Sequence, residues 1–259
     1  MTDVVHPPPQ APPAAVVPPP APAANTTTDV RSLDPSRIIE TIRALGARIE
    51  ERFPERGLVR VARQQLAVAE QTVANLEWVR QPILWVRVAV GLVILLVLTL
   101  IIGIAMRINL SADGVRVTEL LQATEAAVNE VILLGAAILF LTTVEGRIKR
   151  QKALGALREL RALAHIVDMH QLTKDPDRVI EGDRTHTPSS PLPTMTRQQL
   201  GRYLDYCSEM LALNSKLAAL YAQNLHDPVV LAAVDEVETL TTGLCAKIWQ
   251  KLVILNDRG

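Results

Sequence analysis

The sequence predicts an all-α membrane protein, in which a two-span transmembrane helical hairpin carries a cytoplasmic helical bundle and a disordered proline-rich N-terminal tail. Three observations predict this class: two long apolar stretches, helical spacing of apolar residues through most of the remaining chain, and a start rich in proline. Hydrophobic residues make up 49% of the chain and aromatic residues only 3%, so aliphatic side chains and alanine must fill any core. The formal net charge is zero, which excludes the broad basic surface of nucleic-acid-binding proteins.

Residues 1–31 are the proline- and alanine-rich tail, in which Pro7-Pro8-Pro9 and Pro18-Pro19-Pro20 alternate with alanine and valine. Such a composition favours polyproline II and cannot bury a core, so we expect a disordered tail rather than a targeting peptide. The alternative is a groove-binding ligand, because Pro9-Gln10-Ala11-Pro12 matches the PxxP pattern.

Two amphipathic helices are predicted in residues 32–81. Asp34-Pro35 is typical of a helix start, with an N-cap followed by proline at the first helical position. Apolar residues then recur at helical spacing, and a second helix runs from about Arg56 to Arg80. Both helices are too polar to span a bilayer, so we expect them to pack on its cytoplasmic face.

The first transmembrane helix is predicted within residues 82–107, with Pro82 in its first turn. Its centre, Val88–Met106, has nineteen residues without a charge. As a helix this stretch is about 28 Å long, close to the ~30 Å of a hydrocarbon core. Only a helix satisfies its own backbone over that length of lipid.

The second transmembrane helix is predicted at residues 126–145, after a short extracytoplasmic loop and helix start at 108–125. Val131–Val144 supplies only fourteen uncharged residues, so the span must also take in Asn129 and Glu130. We still expect a second span, because one span alone would leave this apolar segment without a partner.

Polar side chains inside the spans form the first candidate site, since an ionisable residue in a span is costly and usually faces protein or water. A ring of Glu130 carboxylates in an oligomer would suit the mouth of a cation-permeable pore. The alternative is that Glu130 lies near the outer interface or pairs with Arg107 or Arg116. The possible pore or intramembrane polar site therefore comprises Glu130, Asn129 and Thr99.

Small residues on the second span, Gly135, Ala136 and Ala137, favour close helix packing in the membrane, either within the hairpin or between subunits.

Basic residues flank the two spans mainly on one side. The connecting loop has only two arginines with acidic residues beside them. Because lysine and arginine stay inside, we expect a multi-pass protein of the cell (inner) membrane with cytoplasmic N- and C-termini. The positive flanks are Arg80, Arg87, Arg147, Lys149, Arg150 and Lys152.

The second span is expected to continue into the cytoplasm through residues 146–173. No proline occurs between Thr118 and His170, and one helix of these 53 residues would be about 80 Å long. A polar linker follows at 174–195. A C-terminal helical hairpin is then predicted at 196–259, and packed on the extension it would complete a coiled-coil-like bundle of three helices.

Helix starts in the C-terminal hairpin are marked by two patterns: the capping-box pair Thr196 and Gln199, and the later Asp227-Pro228. His226-Asp227 is similar to the metal-binding pair of the histidine–aspartate phosphohydrolases, but an N-cap explains Asp227 better.

No catalytic, cofactor-binding or metal-binding residue is assigned. The sequence has no P-loop and no CxxC motif. His165, Asp168 and His170 lie close together, but a metal site there would need further ligands from elsewhere. Cys207 and Cys245 fall on apolar helix faces in the cytoplasmic part and are expected to be reduced thiols.

Two functions follow from this layout. The first is a non-enzymatic membrane interaction or scaffold protein, with the lipid bilayer and an unknown cytoplasmic protein as partners. Its apolar stripes favour homo-oligomerisation. The alternative is a pore-forming or channel-like effector gated by the bundle, similar only in layout to two-span effectors of bacterial conflict systems. The bias toward arginine over lysine is typical of a GC-rich bacterial genome.

Overall fold

Helices account for nearly all of the described chain. The computed structural model describes residues 32–110, 117–176, 179 and 195–257, and these contain no strand. The predicted all-α class is thereby confirmed. The tail at 1–31, the centre of the connecting loop at 111–116 and most of the linker, at 177–178 and 180–194, lie outside the described residues. The helices are α1 (Pro35–Arg52), α2 (Gly57–Arg80), α3 (Leu84–Leu110), α4 (Val117–Leu172), α5 (Arg197–Asn224) and α6 (Pro228–Asp257).

Side-chain oxygens cap three of these helices where the sequence predicts it. Asp34 accepts hydrogen bonds from the backbone N–H and the hydroxyl of Ser36, at 2.9 and 2.8 Å. Thr196 and Gln199 form a reciprocal capping box at the start of α5. Asp227 Oδ1 accepts from the N–H groups of the second and third residues of α6, at 3.0 and 3.2 Å. Each cap satisfies donors that have no partner inside the helix.

The connection between α2 and α3 is a short break at residues 81–83. Gln81 has φ −76° and ψ 143°, an extended conformation that the following proline favours. Pro82 therefore precedes α3 by two residues, and its predicted place in the first turn is wrong. The N–H groups of Val86 and Arg87 begin the helix by donating to the Ile83 carbonyl.

Helix α4 is continuous over 56 residues, which confirms the predicted unbroken helix. Its length is about 84 Å. Its two halves differ in environment: Leu139 and Phe140 are 69% and 67% exposed, whereas Leu157 and Leu160 are 2% and 0% exposed.

The second half of α4 belongs to a bundle of five helices. α1 and α2 share one core with α4, α5 and α6, so the expected three-helix bundle is wrong in its number of helices. The apolar stripes of α1 and α2 cover the other side of α5 and α4. Two buried amides lock this packing, since Gln65 donates to the Met210 carbonyl at 2.7 Å and Asn214 donates to the Leu160 carbonyl at 2.8 Å.

Apolar side chains remain exposed over α3 and the first half of α4, which pack on each other. Leu92, Ile102 and Val131 are 61%, 57% and 62% exposed. By length and composition, these two helices are long and apolar enough to cross a membrane.

Candidate functional site

Glu130 lies on the face of α4 that packs against α3. It is half-buried, like Leu134, Ala137 and Leu141, which follow it at helical spacing along the same face. Since these positions are less exposed than their neighbours on α4, α3 shields them. Within the described residues, the Glu130 carboxylate has neither a hydrogen bond nor an ion pair.

A contact near the bundle fixes the register of α3 along α4. The Ile83 N–H donates to Glu145 Oε1 at 3.5 Å. Glu130 is fifteen residues from Glu145 on α4, and Leu98 is fifteen residues from Ile83 on α3. By helical rise, both residues lie about 22 Å along the helices from this contact. Glu130 is therefore level with the middle of the charge-free stretch Val88–Met106 rather than with its end.

Arg107, which the sequence offers as a partner of Glu130, follows Leu98 along α3. The backbone of Arg107 lies nine residues beyond Leu98, about 14 Å further along α3. The side chain of Arg107 and the whole of Arg116 lie outside the described residues, so pairing of either with Glu130 stays a prediction.

Asn129 and Thr99 do not join Glu130 in one cluster. Successive residues of a helix are about 100° apart around its axis, and Asn129 is exposed where Glu130 is half-buried. The Thr99 hydroxyl, also exposed, donates to the Leu95 carbonyl at 2.8 Å. The three predicted residues therefore lie in three different environments.

The small residues of α4 are divided between two faces. Gly135 and Ala136 are exposed, and no atom lies within 4 Å of the position that a Cβ on Gly135 would take. Ala137 alone is half-buried on the face toward α3. Gly135 and Ala136 thus do not mediate packing between α3 and α4.

Two of the predicted positive flanking residues, Arg150 and Arg80, form contacts between helices of the bundle. Arg150 contacts the Asp227 carboxylate through Nε at 2.7 Å and Nη2 at 2.6 Å, joining α4 to the start of α6. Arg80 Nε donates to Asn224 Oδ1 at 2.7 Å, joining the end of α2 to the end of α5. These arginines therefore have a structural role in the bundle besides the topological role predicted from the sequence.

The other flanks are divided between local contacts and solvent. Lys149 pairs with Glu145 at 2.8 Å, and Lys152 Nζ lies 4.1 Å from the centre of the Trp78 ring. Arg87 and Arg147 are exposed.

His165, Asp168 and His170 do not converge on a common point. His165 is exposed, Asp168 accepts a hydrogen bond from Gln171, and His170 lies against Gly57 at the start of α2. Burial lowers the pKa of His170, and the nearby positive charges of Arg60 and Lys174 lower it further. In the part of the chain that the structure describes, no group of three or more His, Cys, Asp or Glu side chains could hold a metal ion.

An open groove of about 560 Å³ lies between the start of α5 and the end of α6, and it was not predicted from the sequence. Trp249, 66% exposed, and Val253, 40% exposed, contribute its apolar wall, and Arg202 and Asp205 lie opposite on α5. The available signal was that Trp249 and Val253 stand outside the buried stripe of their helix.

No protein-family model matches this chain, and no curated protein or solved structure is significantly similar to it. Its function must therefore be inferred from the placement of its own residues.

Proposed function

We propose that this chain is a non-enzymatic integral membrane scaffold that presents a cytoplasmic helical bundle to a protein partner. In this proposal α3 and the first half of α4 form a two-span hairpin in the cell membrane. Both termini are cytoplasmic, and the chain self-associates.

The observation that carries the proposal is the change of environment along α4. The first half of this helix exposes large apolar side chains such as Val131, Leu139 and Phe140, while the second half is buried in the bundle. Each such side chain loses about 1.5–3 kcal/mol by remaining in water rather than an apolar phase. A hydrocarbon layer around the first half removes this cost, and water suits the charged surface of the second half.

Charge supports the orientation. Arg87 and Arg147 are exposed near the bundle end of the apolar helices, where basic residues remain on the cytoplasmic side of a membrane. The exposed indole of Trp85 lies at the same level, which is the usual depth of interfacial aromatic residues.

The first test is membrane insertion and topology of the full chain. Insertion predicts that the protein stays in the membrane fraction after alkaline carbonate extraction. Cytoplasmic termini predict that a C-terminal green fluorescent protein is fluorescent and that alkaline phosphatase at the same position is inactive. Release by carbonate, or the opposite reporter pattern, would contradict the proposal.

A pore is the second candidate function, and it is favoured by the Glu130 carboxylate, which has no ion pair within the described residues. An ionisable group level with the middle of an apolar stretch is by default a functional group in a membrane protein. A pore predicts that expression of the chain depolarises bacteria and that Glu130→Ala abolishes the leak.

The matched control for this test is Glu125→Ala, which removes an exposed carboxylate on the same helix. Depolarisation that depends on Glu130 but not on Glu125 would favour the pore. A normal membrane potential, with the protein retained in the membrane, would favour the scaffold.

A further inference from the structure

Asn129 is an exposed polar side chain of α4 that lies at the level of the charge-free stretch of α3. The hydroxyls of Thr99 and Thr143 are also exposed, but each donates to the carbonyl four residues earlier, at 2.8 and 2.7 Å. The Asn129 amide is exposed and makes no hydrogen bond within the described residues. In hydrocarbon, where water cannot replace the missing partner, an unpaired amide costs several kcal/mol.

The surface beside Asn129 allows another helix to come close. Ala136 follows seven residues later, almost directly below Asn129 on the helix surface. Gly135 has open space around it, so a partner backbone could approach it closely. Ile132 and Leu139, 61% and 69% exposed, flank this gap with large apolar side chains. We call Asn129, Ile132, Gly135, Ala136 and Leu139 the outer face of α4.

We propose that the outer face of α4 binds the same face of a second copy of this chain inside the membrane, with the two Asn129 amides hydrogen-bonded to each other. This inference rests on the proposed function, because it requires α4 to lie in a bilayer.

A second copy is the partner that the chemistry favours. An asparagine amide carries both donors and an acceptor, so two of them satisfy each other across a two-fold axis. A lipid tail offers neither group. The outer face combines an amide, a small-residue gap and flanking apolar side chains. Each copy can therefore hydrogen-bond the amide of the other and pack its apolar side chains into the gap of the other.

The experiment measures energy transfer between donor- and acceptor-labelled full chains in phosphatidylcholine–phosphatidylglycerol vesicles, across a series of protein-to-lipid ratios. Carbonate extraction of the same vesicles reports insertion separately. A protein that is extracted overturns the proposed function and this inference together. A protein that is inserted but monomeric overturns this inference alone.

Three variants identify the surface. Asn129→Leu is expected to weaken dimerisation roughly 3- to 20-fold, the range of interhelical hydrogen bonds in membranes, while Asn129→Gln retains it. Gly135→Leu fills the gap and is expected to weaken dimerisation as well.

Thr99→Val is the matched control. It removes a hydroxyl level with Asn129, but one that is already bonded within its own helix. Equal dimerisation of Asn129→Leu and the unaltered chain, or equal weakening by Thr99→Val, would overturn the inference.

Discussion

Asp227 combines two roles in one carboxylate. Oδ1 accepts the N–H groups of Val229 and Val230, and Oδ2 accepts Arg150 from α4. Burial raises the pKa of Asp227, but the bonds from Arg150 and the two N–H groups together lower it by more. The carboxylate therefore stabilises the fold above its ordinary pKa of about 4, and this contribution is lost as the pH falls through the lower folded value.

Asp227→Ala is expected to lower the free energy of unfolding by about 1–2 kcal/mol, since it removes a cap and a partly buried ion pair together. Denaturant titration of the detergent-solubilised chain would measure this. Asp34→Ala is the comparison, because Asp34 caps α1 and its Arg37 partner lies 3.7 Å away and is mostly exposed. A loss no larger for Asp227 than for Asp34 would show that the Arg150 contact contributes nothing.

The two cysteines are predicted to differ in reactivity. Burial raises the pKa of Cys207 to about 12, so almost no thiolate forms at neutral pH. Cys245 is only half-buried. A maleimide should therefore label the native chain at Cys245, and Cys245→Ser should leave Cys207 unlabelled until denaturant is added. Fast labelling of native Cys245→Ser would contradict the placement of Cys207.

His170 should make stability depend on pH near neutrality. Because its pKa is lowered in the fold, the unfolded chain binds the proton more readily. Stability should therefore be complete above the ordinary pKa of about 6.5 and decrease as the pH falls below it. An NMR titration of the His170 ring should show the lowered pKa, and His170→Gln should remove this part of the pH dependence. A ring that titrates above the ordinary value would refute the expectation.

Side chains that act locally could be predicted, and those that act between distant segments could not. The caps at Asp34, Thr196 and Asp227 are visible in the sequence because each capping oxygen and the N–H group that donates to it lie within three residues of each other. Gln65 and Asn214 bond carbonyls 145 and 54 residues away, and nothing in their neighbours in sequence indicates such a partner.

Helix α4 is unbroken over 56 residues, and this length includes a glycine in its second half. Gly155 lies inside it, and a Cβ there would meet no atom within 4 Å. Gly155→Ala should therefore raise the free energy of unfolding by about 0.5–1 kcal/mol through helix propensity. Gly155→Pro should cost about 3 kcal/mol or more, because it removes a backbone hydrogen bond and clashes with the preceding turn. Thermal denaturation followed by circular dichroism would rank the three chains, and a destabilising alanine would refute open space at this position.

The sequence could not predict which faces of α3 and α4 contact each other. Their apolar stretches are hydrophobic on all sides, so periodicity does not indicate which face meets the other helix. For this reason Glu130 and Gly135 were both plausible at the contact, and only the structure separates them.

The bundle is built from helices that lie on both sides of the apolar helices in the sequence. α1 and α2 precede them, the remaining helices follow, and all contribute to one core. Amphipathic stripes predicted that each helix needs a partner, but they carry no information on which partner it takes.

A chain of residues 146–257 alone should therefore not fold. It lacks Ile42, Leu45, Ile49 and Leu58, which are at most 2% exposed and whose burial is worth about 1.5–3 kcal/mol each. Co-expression with residues 33–80 should restore a soluble complex with a cooperative thermal transition. A cooperative transition in the 146–257 fragment by itself would contradict the five-helix core.

The chain is interrupted at residues 81–83 before α3, whereas α4 runs without a break from the apolar region into the bundle. Because α4 is one continuous helix with a constant rotation per residue, the orientation of Glu130 and Asn129 around the helix axis is fixed relative to that of Leu160 in the bundle. α3 has no such link, since extended backbone at Gln81 separates it from α2. A rotation of the bundle about the axis of α4 would therefore carry Glu130 and Asn129 with it, whereas α3 would follow through its packing on α4 and the Ile83–Glu145 contact.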